Sequence, residues 1–438
     1  MKRKMKPNMK RVSAVLLMLL VVSVLAFTVL RTNAGNTSAS AESAVTYTSS
    51  YSASPAKAQT TSSDGGDRTV SSNDVFSDRD LSGAYDEKVV SISLTGSGAE
   101  SDSADVVVSG STVTITASGT YVISGTLNNG TIIVDASKDD KVQLVLNGVN
   151  IRSTDYAAIY VRQADKVFVT LADGTQNTLA NGGSYTQKDE NEVDAVIFAK
   201  DDITFNGNGS LCITASSGSG IVGKDEVTIT AGSYEITAAE HAVRAKDSLA
   251  IAGGSVKLYV AGDGLHAENS EDETLGNIYI VGGTFVIQAR DDAIHANTLL
   301  EIDGGSFSIT AAEGLEATYI RINGGSIQIS ASDDGINAAR KSSVYTPTVE
   351  INGGDITISM GAGDTDGVDS NGNIVINGGT ISVTGQSTFD YDGTAQYNGG
   401  TIIVNGQQVY TIPNQIMGGR GGMDGRNGRG GMGGRWGW

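Results

Sequence analysis

Five short stretches repeat one chemical arrangement: "DGLHA" at 263–267, "DAIHA" at 292–296, "EGLEA" at 313–317, "DGINA" at 334–338 and "DGVDS" at 366–370. An acid opens each, and a small residue, an apolar residue, a polar one and Ala or Ser follow. Asp263, Asp292, Glu313, Asp334 and Asp366 make one equivalent set, and His266, His295, Glu316, Asn337 and Asp369 make another. Asp291, Asp333 and Asp364 add acids just upstream. If equal positions stack, neighbouring carboxylates about 4.8 Å apart repel by about 3 to 4 kcal/mol per pair at an effective dielectric of 20. Cations or large pKa shifts must offset that repulsion. Calcium is the expected ion, since it accepts about 6–8 oxygen ligands with tolerant geometry. The metal candidates are the five opening acids, the three upstream acids, Glu316, Asn337 and Asp369. The alternative is a solvated acidic turn screened by water. Zinc fits less well: the histidines fall one per repeat, with no partner cysteine.

Such stacking requires elements of matching period, and the chain has them. An apolar residue, any residue, Gly-Gly, a Ser, Thr or Asp and then alternating apolar residues recur as "IAGGSVKL", "IVGGTFVI", "IDGGSFSI", "INGGSIQI", "INGGDITI", "INGGTISV" and "YNGGTIIV". Their first glycines are Gly253, Gly282, Gly304, Gly324, Gly353, Gly378 and Gly399. Apolar residues alternate on both sides of each Gly-Gly, which predicts two short strands per unit. A unit of 20–29 residues is too short for a propeller blade of about 40 and its strands exclude a helical array. The prediction is an all-β, right-handed parallel β-helix with one unit per coil. Asn323, Asn352, Asn377 and Asn398 are predicted to bond coil to coil. Residues 89–200 read as earlier, larger coils, and "ENSEDETLGN" (268–277) and "ARKSSVYTPT" (339–348) as loops.

A second column is basic. "FAKDD", "VGKDE" and "RAKDS" align Lys200, Lys224 and Lys246, each followed by an aspartate. They form either local Lys–Asp pairs or a cationic strip for uronate carboxylates. With Arg244, His266 and His295 they are the candidate sugar contacts. Outward positions, with Lys257, Tyr259, Tyr279 and Arg321 among them, suggest a flat polar face with few aromatic platforms. Cys212, the only cysteine, excludes an intramolecular disulfide and reads as a bland, outward thiol.

Charge separates the chain into parts. Residues 1–31 carry seven Lys/Arg and no acids, with an uncharged apolar run at 12–30: a signal peptide or a retained membrane anchor. Residues 32–73 form a Ser/Thr/Ala-rich linker. Residues 413–438 are a Gly/Arg/Met-rich tail, read as disordered. What lies between the leader and the tail, 32–412, carries 19 basic and 48 acidic residues. A body that acidic repels nucleic acid and anionic membrane and attracts divalent cations.

The runs "DRDLSGAYDE", "KVQLVLNGVNI", "AAIYVRQADKVFVTLADGTQNTL", "SGIVGKDEVTI" and "INGG…DDGINA" resemble exported bacterial carbohydrate-binding β-helix proteins of clostridial type, similar in fold to pectate lyases. The resemblance spans 74–412. It implies calcium at the acid-turn positions and binding of cellulose or acidic polymers such as polygalacturonate, without established catalysis. The sequence departs from that pattern at "AAEHAVRAKD", where His241 and Arg244 stand for the acid and polar residue, which puts a metal site there in doubt. The function expected is therefore calcium-containing, non-catalytic polysaccharide binding at the cell surface, with no nucleic-acid or protein partner. Two other readings compete. One is a calcium-dependent polysaccharide lyase, for which Lys200, Lys224, Lys246 or Arg244 would be the base. The other is a structural or adhesive surface protein.

Overall fold

Alternation of apolar and polar residues sets the local structure. In Ser326–Ala331, Ile327, Ile329 and Ala331 are buried and the residues between them are exposed. The same alternation governs Ser233–Ala238 and Ser306–Ala311. The computed structural model describes residues 75–85, 88–363 and 365–414. The expected leader (1–31) and linker (32–73), nearly all of the tail, and Asp364 lie outside the described residues. Among the described residues the regular elements are thirty-six β-strands, hydrogen-bonded into one mostly parallel sheet.

From residue 131 onward the strands sort into three parallel ladders, visited in turn. One unit runs through Leu265–Ala267, Asn277–Ile280 and Thr284–Gln288. Each of these pairs in register with its equivalent in the next unit, Ile294–Ala296, Leu300–Ile302 and Ser306–Thr310. The earlier strands Lys166–Leu171 and Ile159–Gln163 join the same ladders. Pairing turns antiparallel at the ends, at Val106–Ser109 with Thr112–Ile115 and at Thr401–Val404 with Gln407–Val409. Both expected insertions are loops, bridging the strands at 268–276 and 339–347.

In-register parallel pairing places like over like. Leu265, Ile294, Leu315, Ile336 and Val368 form one fully buried column. Phe285 and Phe307 stack with centroids 4.6 Å apart and planes 5° apart. Each such side chain contributes about 1.5–3 kcal/mol by leaving water. The asparagine amides run rung to rung: Asn352 to Asn323 at 2.8 Å, Asn377 to Asn352 at 2.7 Å and Asn398 to Asn377 at 2.7 Å.

The two glycines of each pair answer different demands. Gly354 has φ +93°, where a Cβ is strained. Gly353 is needed for space, because a Cβ there would stand 2.5 Å from the Asn323 carbonyl oxygen of the preceding rung.

Two features depart from a plain repeat. The segment before the first strand lies across the ladder of Lys166–Leu171 through Asp80, which is buried. Its carboxylate meets Lys166 Nζ at 2.8 Å and accepts from Thr204 Oγ1 at 2.6 Å. Its carbonyl accepts from Asn206 and Thr230. Arg321, expected on an open polar face, is instead 6% exposed. Its Nε lies 2.9 Å from Glu350, with Glu301 at 3.5 Å on the preceding rung. Its guanidinium also faces the Tyr319 ring at 5.3 Å, and Tyr345 of the second insertion packs on that ring.

Gly353→Ala and Gly354→Ala are each expected to destabilise the protein by about 1 kcal/mol or more, read as a lowered thermal midpoint. Asp355→Ala, exposed on the next position, is expected to stay within about 0.5 kcal/mol. Equal effects at all three positions would contradict the two glycine roles.

Candidate functional site

The ladder that includes Leu265–Ala267 and Leu315–Ala317 carries both acid columns. In the first, the backbone N–H after each opening residue donates to the carbonyl of the next opening acid, along His241, Asp263, Asp292, Glu313, Asp334 and Asp366. Asp366 then pairs with Ser387. The second column runs Val222, Arg244, His266, His295, Glu316, Asn337, Asp369 and Asp390, each in register with the next. His241 and Arg244 thus occupy the same two columns as the acids and polar residues they replace. Asp390 adds a carboxylate that its "DYDGT" context concealed. Asp291 and Asp333 are exposed on the flank.

The columns divide into two electrostatic halves. In the first, the protein supplies its own cations. Asp263 Oδ2 lies 2.7 Å from His266 Nδ1 and 3.3 Å from His241 Nδ1, and its Oδ1 accepts the Asp292 amide at 2.9 Å. Burial raises the Asp263 carboxyl, but the two imidazoles outweigh it and hold it well below the usual range. Burial holds His266 below the ordinary histidine value. His295 Nδ1 lies 2.8 Å from Asp292 and 2.7 Å from Glu316. Burial opposes its charge, yet these carboxylates raise it to about 10. Lys341, on the second insertion, adds a cation 2.8 Å from Glu316 Oε1. Glu316 is accordingly held at about 2, against its burial.

The second half is an oxygen cluster. Asn337 Nδ2 donates to Glu313 Oε2 at 3.0 Å, while its own Oδ1 is buried with no donor. Among the described residues, no Lys, Arg or His pairs with Asp334, Asp369 or Asp390. Burial and then neighbouring carboxylates raise Glu313 to about 8 and Asp369 to about 7. Burial and the charges of Asp333 and Asp366 raise Asp334 to about 6. An orphaned amide oxygen among carboxylates that resist ionising matches the donor set of a hard cation. Asp334, Asn337, Asp366 and Asp369 thus offer oxygen donors alone, whereas the first half interleaves nitrogen bases with its acids.

Beside the first half lies a groove of about 360 Å³, lined by Lys224, His241, Arg244, Lys246, His266 and Glu268 among others. Four of the six sugar-contact candidates meet there; Lys200 and His295 do not line it. The three lysines do align, with the Lys224 amide donating to Ala199 and the Lys246 amide to Gly223. A ladder of local Lys–Asp pairs is not what forms. Lys246 reaches Glu271 of the first insertion at 2.6 Å, and Arg244 reaches Asp194 at 2.7 Å. Asp247 accepts from Asn269. Lys224 Nζ stands 5.6 Å from the Phe198 ring centre. Two clefts of comparable volume lie elsewhere. One, by Ser91 and Asp102, has no basic residue; the other is a shallow face with Tyr259, Gln288 and Arg290.

The columns, the groove and the ladders extend through the region that a family description covers. The model of the family described as "Carbohydrate-binding domain-containing protein" matches residues 109–367 and 313–409. The chain belongs to this family. A carbohydrate-binding domain-containing protein of Acetivibrio thermocellus is 38% identical over 200 residues, covering 45% of this chain and 70% of the relative. A solved structure of a polysaccharide lyase-like protein from C. thermocellum, a gadolinium derivative, is 33% identical. It covers 54% of this chain and 92% of its own, with a TM-score of 0.49.

In this carbohydrate-binding family member the column charges set a pH dependence. Without metal, Glu313, Asp334 and Asp369 keep their protons to about 8, 6 and 7, whereas unfolded carboxyls lose theirs near pH ~4. Between those limits the folded chain holds more protons than the unfolded one, so stability falls as pH rises. His295, raised to about 10, acts in the same direction. Two groups act oppositely: Glu316, held low, below about pH 4.5, and His266, held low by burial, below about pH 6.5; the groups raised in the fold outnumber them. The melting midpoint of chelator-treated protein is expected to drop from about pH 5 to about pH 8. Added calcium is expected to raise it more at the higher pH. A flat metal-free profile would contradict this charge distribution.

Proposed function

We propose that this protein binds an acidic polysaccharide, of the polygalacturonate class, in the groove formed by Lys224, Arg244, Lys246 and His266. The observation that carries this reading is the convergence of those cationic and imidazole groups into one cleft on a body with 48 acidic and 19 basic residues over 32–412. Arg and Lys recognise carboxylates by charge and by directed N–H bonds. A neutral cellulose chain would gain less there, since the groove lining includes no Tyr, Trp or Phe.

In this reading the three ladders wind as a right-handed parallel β-helix, the hand that parallel crossover connections adopt almost without exception. Calcium is held by Asp334, Asn337, Asp366 and Asp369. It neutralises the acid cluster and stabilises the rungs that bear it. Residues 1–31 direct export, and the polymer is met at the cell surface. The role is non-catalytic. An eliminating base must be unpaired, and Arg244 and Lys246 are both in ion pairs.

Affinity electrophoresis in gels containing polygalacturonate, neutral cellulose derivatives or no glycan tests the reading. Retardation is expected with the acidic polymer and is expected to weaken with salt. Lys224→Glu is expected to reduce affinity about tenfold or more, about 1.4 kcal/mol. Glu271→Gln, which frees Lys246 from its resident acid, is expected to raise it. Calcium removal is expected to lower the melting midpoint. Retention on no glycan would overturn the binding assignment, and rising absorbance from unsaturated sugar product would replace it with a lyase.

A further inference from the structure

The 438-residue chain has three histidines, and all of them stand in one stack. The rings of His241 and His266 have centroids 4.7 Å apart, and those of His266 and His295 4.8 Å apart. Between the first two lies Asp263, only 4% exposed. One oxygen of its carboxylate is 2.7 Å from His266 Nδ1 and 3.3 Å from His241 Nδ1. The three donor atoms lie within 4.8 Å of one another.

We propose that His241, Asp263 and His266 form a binding site for a first-row transition-metal dication of the zinc or cobalt(II) type, separate from the all-oxygen cluster. Imidazole nitrogens suit zinc, cobalt, nickel and copper, whereas calcium selects oxygen. Three protein ligands leave a position open. Both imidazoles line the groove, so that position faces a space where water or a ligand oxygen can enter.

The surrounding charge admits a dication. Arg244 is offset by Asp194 and Lys246 by Glu271. Glu268, also in the groove lining, adds a negative charge 3.4 Å from His266 Nε2. The negative charge of Asp263 is then left for the metal.

The proton balance closes as well. Asp263 N–H donates to His241 Nδ1 at 3.0 Å, so that nitrogen already carries a lone pair; the metal takes the place of this bond. His266 Nδ1 faces a carboxylate and carries the proton in the metal-free protein. On binding, that proton moves to Nε2, which lies 3.4 Å from Glu268 Oε2. Glu268 then serves as the outer acceptor that fixes the ligating tautomer. No net proton is released. Asp263 passes from the calcium candidates to this site. His295 stays with Asp292 and Glu316.

The test uses the untagged full chain after chelator treatment, titrated with cobalt(II) chloride alone and followed by visible absorption. The Cys212→Ser background removes the thiol. One saturating equivalent with d–d bands is expected, displaced by zinc and unaffected by excess calcium. His241→Gln and His266→Gln keep side-chain volume and a polar group beside Asp263. With unchanged far-ultraviolet circular dichroism, each is expected to weaken cobalt binding about tenfold or more. The absence of a saturable band in the native chain would overturn the proposal. So would a band lost with Cys212, one displaced by calcium, or one that survives in the double histidine variant. No glycan enters the assay, so its outcome is independent of the polysaccharide reading.

Discussion

Parallel in-register pairing holds successive rungs about 4.8 Å apart and sets each residue over its equivalent. The rest of the structure follows from that constraint. For apolar residues it is favourable: Leu265, Ile294, Leu315 and Ile336 need only repeat to build a core without voids. For asparagine it is favourable too, since each amide is both donor and acceptor and reaches the next. For carboxylates it is costly, because no repetition of one sign can satisfy itself.

The two halves of the acid columns answer that cost in different ways. The first half interleaves bases with acids: His241 and His266 at Asp263, His295 between Asp292 and Glu316, and Lys341 brought in by a loop. The second half keeps oxygen upon oxygen, leaves Asn337 Oδ1 without a donor and raises its acids toward neutrality. One backbone repeat thereby offers a nitrogen-containing end and an oxygen-only end. The insertions belong to the same arrangement. The first sends Glu271 to Lys246, the second sends Lys341 to Glu316, and the two are joined where Ser343 N–H donates to Glu273 at 2.8 Å.

Much of this was legible in the sequence, because a repeat fixes which residues become neighbours. The Gly-Gly units, the alternating strands, the asparagine line and the two columns from Asp263 to Asp369 followed from position within the unit. What the repeat does not encode was not legible. Lys341, Glu271 and Asp194 lie in loops or at strand edges with no counterpart in other units, so their partners emerge only from the folded chain. Arg321 sits at an outward position by alternation, yet it is buried between Glu301 and Glu350 of the adjacent rungs, beside the Tyr319 ring. The same limit hid the histidine cluster. One histidine per unit looked too sparse for a metal, but in the folded chain the His241 ring reaches across from the first column to lie 4.7 Å from the His266 ring.

Asp80 adds a mechanical consequence. Its side chain and carbonyl grip Lys166, Thr204, Asn206 and Thr230, which lie in or just after strands on three successive rungs. Tension entering from the N-terminal side is therefore shared among those rungs in shear, instead of peeling the terminal strand off one hydrogen bond at a time. The short strap acts as a strain relief for the whole stack behind it.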